Sequence, residues 1–108
     1  MASGEVVEIV RHFLGVSRDR GVPVCAAYLY GSQARGTAGP DSDIDVAVIL
    51  ENAVDSGERL RHWYTLQEIA GDVDLRLSVY AVQLEKFQSD TATPLLSAVR
   101  REGIEIAA

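Results

Sequence analysis

The chain has a single cysteine, Cys25, set in the apolar run VPVCAAYLY. One thiol can form neither an internal disulfide nor a cysteine-rich zinc site, which points to a reducing compartment, the cytoplasm. No basic residue or helix start flanks Cys25, so it reads as a buried structural thiol rather than a nucleophile. Long hydrophobic runs are missing too. Nothing approaches the roughly 20 apolar residues of a membrane span, and the N-terminal segment lacks a secretory pattern. Positive charge is scarce: 10 Lys+Arg against 16 Asp+Glu leave a formal charge of -6. That argues against direct binding of nucleic acid, which takes lysine and arginine to displace counterions. A small nucleotide arriving with its own metal is still admitted. Internal repeats and low-complexity tracts are absent, and 108 residues accommodate one domain, 1–108, with one modest core.

What is present reads as alternating helices and strands. Gly4 to Arg20 carries Val6, Val7, Val10, Phe13, Leu14 and Val16 at helical spacing, with Ser3 as N-cap and Gly21 as stop. Pro23 opens PVCAAYLY, a nearly continuous apolar run that predicts a central strand buried on both faces. Asp43 to Leu50 predicts a second strand. Asp43, Asp45, Ala47 and Ile49 share one of its faces, and Ile44, Val46, Val48 and Leu50 the other. Asn52 to Ser56 reads as a loop. Gly57 to Gly71 reads as an amphipathic helix with Leu60, Trp63, Tyr64, Leu66, Gln67 and Ala70 near one side. The alternation in DVDLRLSVY predicts a third strand over Asp72–Tyr80. VQLEKFQS suggests a short helix. TPLLSAVRREG suggests a clearer one with Thr93 as N-cap, Pro94 in first position and Gly103 after the last turn, and IEIA adds a short edge strand. The pattern is α+β, an α/β sandwich with a small mixed sheet flanked by helices.

Chemistry concentrates after the first strand, in YGSQARGTAGPDSDIDVAVIL. Gly31 permits a sharp turn whose backbone N–H groups can face an anion, and the Ser32 hydroxyl can donate to a phosphate oxygen. Asp43 and Asp45 project from one strand face, where two carboxylates repel unless a cation neutralises them. Magnesium suits such a pair, because it takes hard oxygen ligands and is commonly held by one or two carboxylates plus substrate phosphates. Asp74 is the candidate third carboxylate, with Asp72 its competitor. Placed at the metals, Asp74 could also accept the proton of an attacking hydroxyl. Asp41 reads as a loop acid stabilising the PDS turn.

The stretch GSQARGTAGPDSDIDVAV resembles the signature of the DNA polymerase beta-like nucleotidyltransferase superfamily, and its wording with the small size resembles the minimal nucleotidyltransferases. That signature is Gly-Ser, about ten residues, Asp-x-Asp, and a later third Asp. The terminal LLSAVRREGIEI also fits. The resemblance implies a polymerase beta-like fold and a magnesium-dependent reaction, with two ions. In it a nucleoside monophosphate, AMP from ATP foremost, passes from an NTP to a hydroxyl. It implies Asp43, Asp45 and Asp74 as metal-binding and catalytic carboxylates, and Gly31, Ser32 and Arg35 as nucleotide-binding residues. It further implies a partner of the all-helical HEPN type, with this chain the antitoxin of a toxin–antitoxin pair, adenylylating that partner. An acidic surface suits a basic partner, and self-association is also admitted.

Other readings stand beside this one. The chain could neutralise a partner by occlusion without transferring anything, or act as the catalytic subunit of an enzyme modifying a small hydroxylated molecule. Arg35 could simply pair with Asp41. His12 and His62 lack metal-ligand spacing and read as surface histidines, and Trp63 and Tyr64 as core or interface aromatics. Arg100 and Arg101 oppose the dipole at a helix end.

Overall fold

The computed structural model describes residues 3–53 and 55–107. Helix α1, Gly4–Asp19, starts where Ser3 Oγ accepts the Val6 N–H at 3.2 Å, as the sequence predicts. It stops before Gly21, at φ 86°. Strand β1, Val24–Tyr30, leads into a single helical turn, α2, Ser32–Arg35, and then strand β2, Ile44–Leu50. Helix α3, Ser56–Val73, precedes strand β3, Leu77–Gln83. Helices α4, Leu84–Ser89, and α5, Pro94–Glu102, follow, and the short strand β4, Ile104–Glu105, comes last. Val54, in the predicted loop, lies outside the described residues.

The strands form one mixed sheet in the order β3-β2-β1-β4. β1 pairs antiparallel with β2 and β4, and β2 pairs parallel with β3. A parallel neighbour needs a crossover, and α3 supplies it. On one sheet face, Phe13 and Leu14 of α1 and Leu66 and Ile69 of α3 belong to a single core with Ala27, Leu29, Val46 and Val48. On the other, Ile49, Val82 and Leu96 form a smaller cluster with Tyr28, Tyr80 and Phe87. β2 is therefore apolar on both faces from Val46 onward, and the acids precede that stretch.

Four expectations need correction. The third strand does not begin at Asp72, because α3 runs through Val73 and the chain then turns over Asp74–Arg76. The Asp74 N–H donates to Ala70 O at 3.0 Å, the Leu77 N–H to Asp74 O at 3.1 Å, and the Asp74 carboxylate accepts the Arg76 N–H at 2.9 Å. These local bonds end the helix as a turn and outweigh the two-residue alternation; Leu75 is left 91 % exposed. β1 is buried on one face only, through Ala27 and Leu29, since its other face is half covered. Cys25 is exposed rather than buried. Finally, α3 turns Leu66, Ile69 and Ala70 inward and leaves Leu60, Trp63 and Tyr64 about half exposed. At 3.6 residues per turn, Leu60 and Tyr64 lie about 130° and 170° from the middle of that inward stripe.

Candidate functional site

The site forms where β1 ends and β2 begins, which antiparallel pairing makes the same end of the sheet. The register sets Tyr30 beside Asp45 on one side and Ser78 beside it on the other. Side chains of paired residues share a face, so Asp45 lies in a row between a phenol and a hydroxyl. Asp43, one residue before β2, is exposed, and Asp45 is half-buried.

Gly31 makes the close approach possible. Its φ of 72° and ψ of -153° fall in a region open essentially to glycine. A Cβ at Gly31 would run into Asp45 Oδ2 and lie 3.3 Å from Asp45 Cγ. The turn and the carboxylate are thus neighbours with no room for a side chain between them. The chain then winds through α2, where the Arg35 N–H donates to Gly31 O at 3.1 Å and the Thr37 N–H to Ser32 O at 3.0 Å. This turn returns Arg35 toward the carboxylates.

The electrostatics record that assembly. Burial raises the Asp45 pKa, the Asp43 charge raises it further, and Arg35 opposes both. The Tyr30 pKa is pushed up to about 12 by burial first, then by Asp45 and Tyr80. Gly31 thus lies against Asp45, and the charges of Asp43 and Arg35 both act on that carboxylate, with Ser32 opening the adjoining turn.

Asp74 is held elsewhere. Its carboxylate accepts the Arg76 guanidinium at 3.1 and 3.0 Å, and these bonds together with the Arg76 N–H hold its pKa below the usual carboxylate range. Asp72 is exposed in the last turn of α3. Among the described residues, no three His, Cys, Asp or Glu side chains converge closely enough to hold an ion. The donor set at Asp43 and Asp45 nevertheless suits one hard divalent cation. The Asp43 charge raises the Asp45 pKa, and a cation held by the two carboxylates would relieve that repulsion.

Sequence reasoning missed Glu102, at the end of α5. Its Oε1 accepts the Gly31 N–H at 3.2 Å and Arg35 Nη1 at 3.0 Å. Arg35 thus pairs with Glu102 and not with Asp41. The nearby loop is tied by Ser42, whose Oγ accepts the Gly39 N–H at 2.8 Å, rather than by Asp41. His12 is exposed as expected, but His62 is not a surface residue. It is mostly covered, and its Nδ1 is buried without a partner among the described residues. Arg100, in the last turn of α5, also lies over the Phe87 ring at 5.0 Å and donates to the Phe87 carbonyl.

The model of the family described as "Polymerase beta, Nucleotidyltransferase" matches residues 19–107. No curated protein matches the chain. A crystal structure of a toxin–antitoxin with AMP-PNP is similar at 25% identity and a TM-score of 0.62, over 94% of this chain and 73% of that one. A crystal structure of the toxin–antitoxin MntA-HpeT, carrying a double aspartate-to-glutamate mutation, is similar at 26% identity and a TM-score of 0.56. That match covers 90% of this chain and 71% of the other. A putative nucleotidyltransferase from Sulfolobus solfataricus shares the fold at 12% identity and a TM-score of 0.64, over 94% and 78% of the respective chains.

Proposed function

The chain belongs to the polymerase beta nucleotidyltransferase family, and we propose that it transfers AMP from ATP to a hydroxyl of a HEPN-type partner, acting as its antitoxin in the cytoplasm. The observation that carries this reading is the contact between the Gly31 turn and Asp45. It sets an anion-receptive backbone against a carboxylate pair. The similar toxin–antitoxin structure with AMP-PNP supports an adenine nucleotide and a protein partner.

In this reading Asp43 and Asp45 hold magnesium, while Gly31, Ser32 and Arg35 hold the triphosphate. When bound, the metal offsets charge on the phosphates and on the leaving group. The hydroxyl oxygen bonds to the α-phosphorus, the bond from that phosphorus to the bridging oxygen breaks, and pyrophosphate leaves. Burial pushes the Tyr30 pKa up to about 12, so the phenol keeps its proton at neutral pH and can donate to Asp45 or a phosphate oxygen. Asp74 is proposed as the third carboxylate, taking the proton of the hydroxyl. That role requires it to exchange its Arg76 bonds for the site.

The test is incubation with labelled ATP, Mg²⁺ and a HEPN partner. Label should appear on the partner and disappear with Asp74→Asn. Absence of label together with absence of metal-dependent ATP binding refutes the reading.

A second reading has its own support. The chain could instead neutralise its partner by covering it. Exposed Leu60 and Trp63 flank an apolar hollow of about 340 Å³ that Leu50 and Val82 also line, a surface suited to protein contact. An Asp43→Asn/Asp45→Asn double variant that still protects against the partner favours occlusion. One that binds without protecting favours transfer.

A further inference from the structure

We propose that Glu102 is a competing residue of the nucleotide site, occupying the anion position over Gly31 and Arg35 and giving it up when a phosphate chain binds. The proposal rests on the nucleotide-binding reading above. One oxygen of Glu102 accepts both the Gly31 N–H and the Arg35 guanidinium, the two donors that a phosphate on this turn would use. A backbone N–H offers a single hydrogen, so carboxylate and phosphate compete for it.

The carboxylate is delivered by the fold rather than by a loose side chain. Its side chain is 20% exposed, against 51% for Arg35. Gly103 follows it, and a Cβ there would run into Val99 O and lie 3.3 Å from Tyr28 Cβ, so the end of α5 is pressed onto β1. Glu102 is also the last residue of α5, at the negative end of the helix, where an acid is locally disfavoured. Its contacts with Gly31 and Arg35 outweigh that local preference.

The consequence is competition for one anion position. Glu102 is bonded to Arg35, whose charge also acts on Asp45, so an arriving phosphate must displace a carboxylate to reach the same donors. Every phosphate chain that uses the Gly31 N–H and Arg35 meets that cost.

Glu102→Gln keeps the shape and removes the charge. Calorimetric titration with Mg²⁺ and ATP, ADP or inorganic tripolyphosphate should show it binding each more tightly than wild type. ATP should gain at least about fivefold, the scale of removing one like charge at contact distance. Equal or weaker binding, with an unchanged melting temperature, overturns the proposal and makes Glu102 a strut for Arg35. If neither wild type nor variant binds any of the three, the nucleotide reading itself falls and this one with it. A second measurement needs no variant. Magnesium tripolyphosphate added to wild-type protein should shift the Gly31 amide and the Glu102 carboxyl carbon together in NMR spectra. A Gly31 shift with Glu102 unmoved overturns the displacement.

Discussion

Replacing Gly31 with alanine tests whether the site is built on backbone geometry. Two costs arise at this position. The φ and ψ of 72° and -153° lie where a residue with a Cβ is strained by about 1–3 kcal/mol. In addition, the new methyl meets Asp45 Oδ2, which has Tyr30 and Ser78 as its flanking register partners. Either the backbone at residue 31 leaves its conformation or the carboxylate moves, and both outcomes separate the turn from Asp45.

A domain of this size shifts its melting temperature by about 4–8 °C per kcal/mol. Gly31→Ala should therefore melt about 5–20 °C lower by circular dichroism, and metal-dependent ATP binding should be lost even at temperatures where it stays folded. Gly15→Ala is the control. Gly15 sits inside α1 with nothing within 4 Å of a built Cβ, so the same chemical change should stabilise by about 0.5–1 kcal/mol. If Gly31→Ala melts within a degree or two of wild type and still binds ATP with Mg²⁺, the cradle argument is wrong.

Asp43→Asn should cut transfer by about 100-fold or more, the scale of removing one charge-stabilising group. Because Asp43 is exposed, near-native melting should accompany the loss. Asp45→Asn, melted in chelator at pH 7, should be more stable than wild type. Burial and Asp43 raise the Asp45 pKa on folding, so its ionised form disfavours the fold; the difference should vanish as pH falls below the ordinary value of 3.8. Asp90 behaves oppositely. The Thr93 hydroxyl and N–H and the Ala92 N–H hold its folded pKa at about 2, so its contribution is complete above pH 3.8 and is lost as pH falls toward 2. Asp90→Ala should flatten that segment of a melting-temperature-against-pH curve.

The part of the site that was legible in the sequence shares a physical basis. Asp43 and Asp45 are related by the two-residue period of a strand, and Gly31 and Ser32 by a turn at a strand end. Both are local consequences of backbone geometry, and the antiparallel register of β1 and β2 then brings them together. The helices were legible for the same reason, through Ser3, Pro94 and the apolar spacing of α1. Asp74 shows where alternation misleads. A carboxylate two residues before an arginine can fold back on it, and that local bond competes with the strand. Trp63, Tyr64 and Cys25 show that apolar or thiol character does not identify a covered position, because exposure depends on which elements pack over each face.

Glu102 belongs to a different class, since its partner Gly31 is 71 residues away in the chain. No periodicity connects them. Even so, the residue carries a local sign. At the C-terminal end of a helix the exposed carbonyls favour lysine or arginine, as Arg100 and Arg101 illustrate, and an acid in the very next position opposes that field. An acid kept against local preference, followed by a glycine that lets the helix end lie on a strand, marks a position whose use is tertiary. By that argument a local conflict is itself information. The residue that contradicts its helix is the one that reaches across the sheet to the turn where the phosphates of a nucleotide would lie.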